Sequence, residues 1–160
     1  MLGLNWGATA QERVTPLPCD ELLPAGIVAD RAITVDAPPL VVYRWLCQLR
    51  AAPYSYDWLD NLGRRSPRQL TPGLGLLEPG QRFMSMFRLA SFAEAEHITL
   101  RSRRFAVTYA VRAQGAGTRL LVRVRGALPR LLAPLALGDL VMMRKQLLTL
   151  KQLAERRPSH

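Results

Sequence analysis

The sequence predicts an α+β fold: a curved antiparallel β-sheet wrapped around a long C-terminal helix. Two observations carry most of this. Apolar residues recur at a two-residue period through much of Arg82 to Arg125, and the residues beyond Asp139 switch to a helical period. A third is the order of elements, since one strand and two short helices precede the run of strands instead of alternating with it. A chain of 160 residues and 17.9 kDa suffices for one domain, and it buries about two-thirds of the surface its unfolded form exposes.

Residues 1–30 contain Pro16, Pro18, Pro24 and Gly26 with no sustained period, so they predict an extended N-terminal arm. The domain proper is expected over 31–157. It opens with a short strand, Arg31–Asp36, in which Ile33 and Val35 alternate with Ala32 and Thr34. Pro38 and Pro39 suit the first turn of a helix, and Val42, Trp45, Leu46 and Leu49 follow at the spacing of one apolar face. "YSYDWLDNLG" predicts a second, shorter helix, capped by Asp57 and closed by Gly63. The next segment, "RRSPRQLTPGLGLLEPGQ", is too rich in proline and glycine to be regular.

Strands resume after Gln81. "RFMSMF" alternates, "SFAEAEHITLRS" alternates, and "RFAVTYAVRA" puts Phe105, Val107, Tyr109 and Val111 on one face. After a turn at "QGAGT", Leu120, Val122 and Val124 oppose Arg119, Leu121, Arg123 and Arg125, which predicts a meander with one wet face. The stretch from Gly80 to Ala127 is short, which leaves five or six strands in the whole sheet. A helix from about Leu140 to Arg156 ends the chain, with Asp139 as its cap and Leu140, Met143, Leu147, Leu150 and Ala154 as its main stripe.

The 22 Lys and Arg outnumber 12 Asp and Glu, giving a net charge of +10. Such a balance suits anionic lipid or nucleic acid, but the basic residues are scattered, which favours a solvated basic face and argues against nucleic acid. Peripheral contact with an anionic membrane stays open. Cys19 and Cys47 form no C-x-x-C pair and no disulfide framework, so the cytoplasm is the expected location. The N-terminus does not read as a secretory signal, and the most apolar tract is broken by Pro134, Gly138 and Asp139 well short of a membrane span.

The order of elements, together with "WGAT…LPCDELLP", "ITVDAPPLVVYRWLCQL", "YSYDWLDNL" and "LEPGQRF", resembles the helix-grip superfamily of START-like lipid carriers, the birch-pollen allergen family and polyketide cyclases. The similarity covers roughly residues 5–156 and is closest to bacterial SRPBCC, or polyketide cyclase/dehydrase-like, members. It implies a cavity between sheet and last helix, with the two short helices closing one end, and therefore a site for a hydrophobic small molecule such as a lipid, polyketide or isoprenoid. Its alternatives are a cyclase or dehydratase and, from charge alone, a basic protein docking on anionic membrane or RNA.

On that arrangement Tyr54, Tyr56 and Trp58 sit at the cavity mouth, where an aromatic offers apolar area and a polar tip. Trp45, Phe105, Val107, Tyr109, Val122, Met143 and Leu147 wall the interior, with Tyr109 supplying a hydroxyl. Core packing is the competing role for each. Asp57 either caps a helix or, desolvated beside aromatics, acts as a general base; no acid–base pair with suggestive spacing accompanies it. His97 has no local ligand partner, so neither metal nor cofactor is expected.

Overall fold

The first long strand pairs with the last strand of the chain instead of the next one. In the computed structural model, which describes residues 5–23, 27–50, 77–83, 87–103, 105–126 and 133–156, β1 is Asn5–Trp6 and β2 is Ile27–Val35. The later strands are β3 (Arg82–Phe83), β4 (Phe87–Ala93), β5 (His97–Arg101), β6 (Phe105–Gln114) and β7 (Gly117–Gly126). They form one seven-stranded sheet in the order β1-β2-β7-β6-β5-β4-β3. β1 runs parallel to β2 and every other pair is antiparallel. The expected five or six strands thus become seven among the described residues, because the two-residue β1 is too short to show a period and one stretch that alternates is two strands.

"SFAEAEHITLRS" is not one strand. It turns at Glu94–Glu96, between β4 and β5, with Ala95 at φ 59° and the Glu96 N–H donating to the Ala93 carbonyl at 2.9 Å. A turn without glycine, proline or asparagine leaves no signature in the sequence.

Helix α3, Pro39–Cys47, starts as predicted, with Pro39 in its first turn, and runs into a 3₁₀ turn at Gln48–Arg50. Val42, Trp45, Leu46 and Leu49 are all buried. The second short helix predicted over "YSYDWLDNLG" lies outside the described residues. The C-terminal helix spans Ala133–Glu155, seven residues longer at its start than predicted from Leu140. Pro134 falls in the first turn, where its missing N–H costs nothing, and Gly138 alone does not stop a helix.

This last helix lies on what we call the inner face. Leu147, Leu150, Leu153 and Ala154 join one apolar cluster with Ile33, Val35, Leu89, Ile98, Leu100, Val107, Tyr109, Val111, Leu120 and Val122. Lys151 Nζ donates to the Thr34 carbonyl at 2.8 Å and Glu155 accepts from the Asp36 N–H at 2.7 Å, pinning the helix end to the end of β2.

Much of the outer face is covered, contrary to the expectation from alternation. Residues 8–23, predicted as an extended arm, fold across it as α1 (Ala10–Val14) and α2 (Cys19–Leu22). Thr9 and Glu12 form a capping box. Ala8, Leu17 and Cys19 pack on Ala32, Ala106, Ala110 and Leu121, three of the four floor residues being alanines that let the arm lie close. Gly7 adopts φ 77°, and a Cβ there would stand 2.3 Å from the Ala32 carbonyl oxygen, so only glycine fits. Cys19 is buried, and burial pushes its thiol pKa up.

Three arginines of β7 fasten this layer. Arg119 pairs with Glu12 at 2.9 Å and donates to the Gly7 carbonyl at 2.7 Å. Arg123, 3% exposed, pairs with Asp30 at 2.7 Å and Asp20 at 2.9 Å and donates to the carbonyls of Glu12, Arg13 and Thr15. Arg125 meets Asp20 and the Leu23 carbonyl.

Two outcomes follow for stability. Leu147 is fully buried, so Leu147→Asp should abolish cooperative unfolding in a urea titration, because an unpaired buried charge costs several kcal/mol against a total of about 5–15. A soluble, cooperative variant would contradict the burial. The Arg119 hydrogen bonds, opposed by desolvation, hold the Glu12 carboxyl at about 2 against a usual 4.5. A carboxyl depressed in the folded state favours folding above its unfolded pKa and loses that advantage as pH falls through the folded value. Wild type should therefore exceed Glu12→Gln in stability at neutral pH, by no more than about 1 kcal/mol given the solvent around the pair. Melts at descending pH should show the difference closing between about pH 4.5 and pH 2; a gap undiminished at pH 2 would exclude the carboxylate as its source.

Candidate ligand-binding site

The inner face and the last helix enclose most of the predicted site residues that are described. Trp45 of α3, Val107 and Tyr109 of β6, Val122 of β7 and Leu147 of the last helix are all buried within the same apolar cluster. Tyr109, Val122 and Leu147 retain no exposed surface. A side chain bordering an empty, water-sized space keeps some accessible area, so at this level the interior is closed and packed.

The next level is looser. Met143 on the helix, Val124 on β7, Phe87 on β4 and Leu77 ahead of β3 pack against the cluster but stay half-buried. Phe105 has the parity of Val107 and is half-buried as well. Cross-strand register places Phe87, Phe105 and Val124 toward one end of the sheet: Phe83 faces Phe87, Leu89 faces Leu100, Leu100 faces Val107 and Val107 faces Val124. The apolar interior is therefore fully buried at depth and half-buried toward the Met143 end. Tyr54, Tyr56, Asp57 and Trp58 lie outside the described residues.

Besides the Tyr109 hydroxyl, two further polar groups inside this wall, Gln146 and Arg31, were not anticipated. The Tyr109 hydroxyl donates to Gln146 Oε1 at 2.7 Å, within the interior. Burial raises the phenol pKa well above its ordinary value, although the Gln146 bond pulls the other way, so the hydroxyl stays protonated. Register places Arg31 opposite Val122, in a row with Tyr109 and Ile98 on the inner face. Arg31 is 1% exposed and donates from Nη1 to the Asp30 carbonyl at 2.6 Å. Desolvation lowers its pKa to about 10, against the opposing pull of Asp30, and it remains cationic at neutral pH. Both residues had a usable signal: Arg31 has the parity of Ile33 and Val35, and Gln146 stands three residues from Met143 and four from Leu150.

Among the buried described residues the one carboxylate is Asp30, which points to the outer face toward Arg123. His97 reaches Thr99 Oγ1 from Nδ1 at 3.2 Å, and Thr99 meets Thr108 at 2.9 Å. Among the described residues no three His, Cys, Asp or Glu come together to hold a metal ion, and no helix is long and apolar enough to cross a membrane.

Known proteins resemble this architecture. A Mesorhizobium loti protein superposes with a TM-score of 0.56 at 18% identity, over 82% of this chain and 99% of its own. The chain has the helix-grip fold. Two further helix-grip structures agree. They are the Aha1 dimer of Colwellia psychrerythraea (TM-score 0.53, 14% identity, 81% of this chain and 96% of its own) and an AHSA1-like protein of Rhizobium etli (0.53, 16%, 86% and 94%). No protein-family model and no curated protein sequence matches the chain. At these identities the likeness carries the fold and leaves the chemistry of the helix-grip interior to its own residues.

If Tyr109 and Gln146 are a satisfied buried pair, Tyr109→Phe should cost about 1–3 kcal/mol by leaving the amide oxygen without its donor. Adding Gln146→Leu should recover part of that loss. Urea titrations of the two single variants and the double variant measure the coupling, and strictly additive losses would show the pair to be energetically independent.

Proposed function

We propose that this protein binds a hydrophobic small molecule, in the class of a lipid, polyketide or isoprenoid, at the Met143 end of the space between sheet and C-terminal helix. The supporting observation is the two-level interior: a closed floor at Tyr109, Val122 and Leu147 beneath half-buried Phe87, Phe105, Val124 and Met143. Methionine and phenylalanine lining an incompletely closed end suit apolar ligands of varied outline. Tyr109, Gln146 and Arg31 lie below as polar groups toward which the ligand's polar atoms are oriented. Binding is favoured over acid–base chemistry because the buried carboxylate that is described, Asp30, faces away. Two buried cysteines that form no disulfide with each other, Cys19 and Cys47, suit a reducing compartment, and we assign the protein to the cytoplasm.

Native mass spectrometry of gently purified protein, followed by solvent extraction, tests this without a guess at the ligand. A copurified apolar molecule in wild type, lost or much reduced in a Val124→Trp, Met143→Trp variant that still unfolds cooperatively, is the expected outcome. Wild type that neither carries a ligand nor takes up any member of a fluorescent lipid and isoprenoid panel would refute it.

A further inference from the structure

Three arginines stand directly opposite one another on adjacent strands. Arg82 of β3 faces Arg88 of β4, and Arg88 faces Arg101 of β5. Directly paired residues share a face, and Phe83, Leu89 and Leu100 occupy the inner one, so the arginines line the outer face. All three are exposed, with Arg103 exposed just beyond. Three adjacent strands span about 10 Å, and like charges set opposite each other across a sheet are destabilising. Among the described residues none of the three forms an ion pair, and Arg88 donates to the Gly80 carbonyl at 3.2 Å. The arginines of β7 differ sharply, each being matched to Glu12, Asp20 or Asp30. This row lies on a part of the outer face that the N-terminal layer leaves open.

The other side of the same strand ends shows what meets it. At the level of Arg82, Arg88 and Arg101 the inner face carries Phe87, Leu100 and Val107, and Phe105 and Val124 continue that end. One rim therefore presents a row of guanidinium groups beside the open apolar end of the interior. We propose that this rim docks on an anionic lipid surface, the arginines taking lipid phosphates while the open end faces the acyl region. The arginine contact stands on its own, whereas the orientation of the open end rests on the function proposed above. Single-stranded nucleic acid fits less well, because it is held on stacking aromatics beside the cations. The one exposed aromatic among the described side chains, Phe92, lies toward the opposite end of β4.

The test is cosedimentation with vesicles of phosphatidylcholine alone and of phosphatidylcholine with phosphatidylglycerol. Wild type should bind the anionic vesicles only. Binding should collapse when salt rises from about 0.1 M to about 1 M, which shortens the screening length from about 10 Å to about 3 Å. Arg82→Ala, Arg88→Ala, Arg101→Ala together should weaken it by about fivefold per residue, on the order of a hundredfold. The variant should melt no lower than wild type, since only mutually repelling exposed groups are removed. A matched variant, Arg13→Ala, Arg44→Ala, Arg112→Ala, removes the same charge from exposed sites elsewhere and should bind nearly as wild type. Equal losses in both variants would reduce the effect to net charge and overturn the proposal. So would wild type that ignores vesicles, whether or not the row retains a single-stranded oligonucleotide. Uptake of a fluorescent isoprenoid in the absence of vesicles is scored separately: uptake without vesicle binding sinks the docking surface alone, and vesicle binding without uptake sinks the interior site alone.

Discussion

The organisation of this molecule depends on one buried guanidinium. Arg123 sits near the middle of β7, and a cation desolvated to that degree destabilises the fold unless its donors are matched. Asp30, its register partner on β2, supplies one carboxylate, and Asp20 supplies another from α2. The carbonyls of Glu12, Arg13 and Thr15 supply the rest. Those carbonyls belong to the end of α1, where the Glu12 oxygen also accepts from the Thr15 N–H and the helix dipole has its negative end. Arg123 and α1 thus complete each other: the helix end satisfies the cation, and the cation terminates the helix.

That mutual requirement makes the N-terminal residues a layer instead of a lead-in. Once α1 and α2 are held at Arg123, Ala32, Ala106, Ala110 and Leu121 acquire a cover, and β6 and β7 become buried on both faces. The sheet then no longer relies on the C-terminal helix alone for its stability. An inner face relieved of that task can tolerate an end that is not fully packed, and this gives the helix-grip arrangement room for a site. β2 carries the division of labour within two residues, with Asp30 turned outward to the latch and Arg31 turned inward to the interior.

Much of the inner side was legible in the sequence, because burial on one face imposes strict alternation. Val107, Tyr109, Val111, Leu120 and Val122 declare themselves in this way, and so do the Val42, Trp45, Leu46 and Leu49 face of α3 and the Leu147, Leu150, Ala154 stripe. The outer layer was not legible for a physical reason: its cohesion comes from arginine side chains reaching backbone carbonyls and from alanines permitting close approach, and neither leaves a hydrophobic period. Arg119, Arg123 and Arg125 at alternate positions look the same whether they face water or a helix end. Short elements escaped similarly, since a two-residue strand such as Asn5–Trp6 is defined by its neighbour and not by itself. The proposed mouth residues Tyr54, Tyr56 and Trp58 belong to a segment outside the described residues, so their role stays a proposal.

The polar atoms of the interior bear on what that space is for. An ionic or hydrogen-bonded group in a core can often be replaced by an apolar residue of similar volume without loss of stability. Tyr109 would serve packing as phenylalanine and Gln146 as leucine, while Arg31 bears a desolvation cost large enough to lower its pKa to about 10. Tyr109 and Gln146 spend hydrogen-bonding capacity on each other beneath an apolar rim. Groups of this kind add little to a fold that the arginine latch already holds from the other side. On the proposed function their value lies in direction: a set of donors and acceptors at the floor of an apolar space distinguishes one end of a molecule from the other, and a hydrocarbon wall by itself cannot.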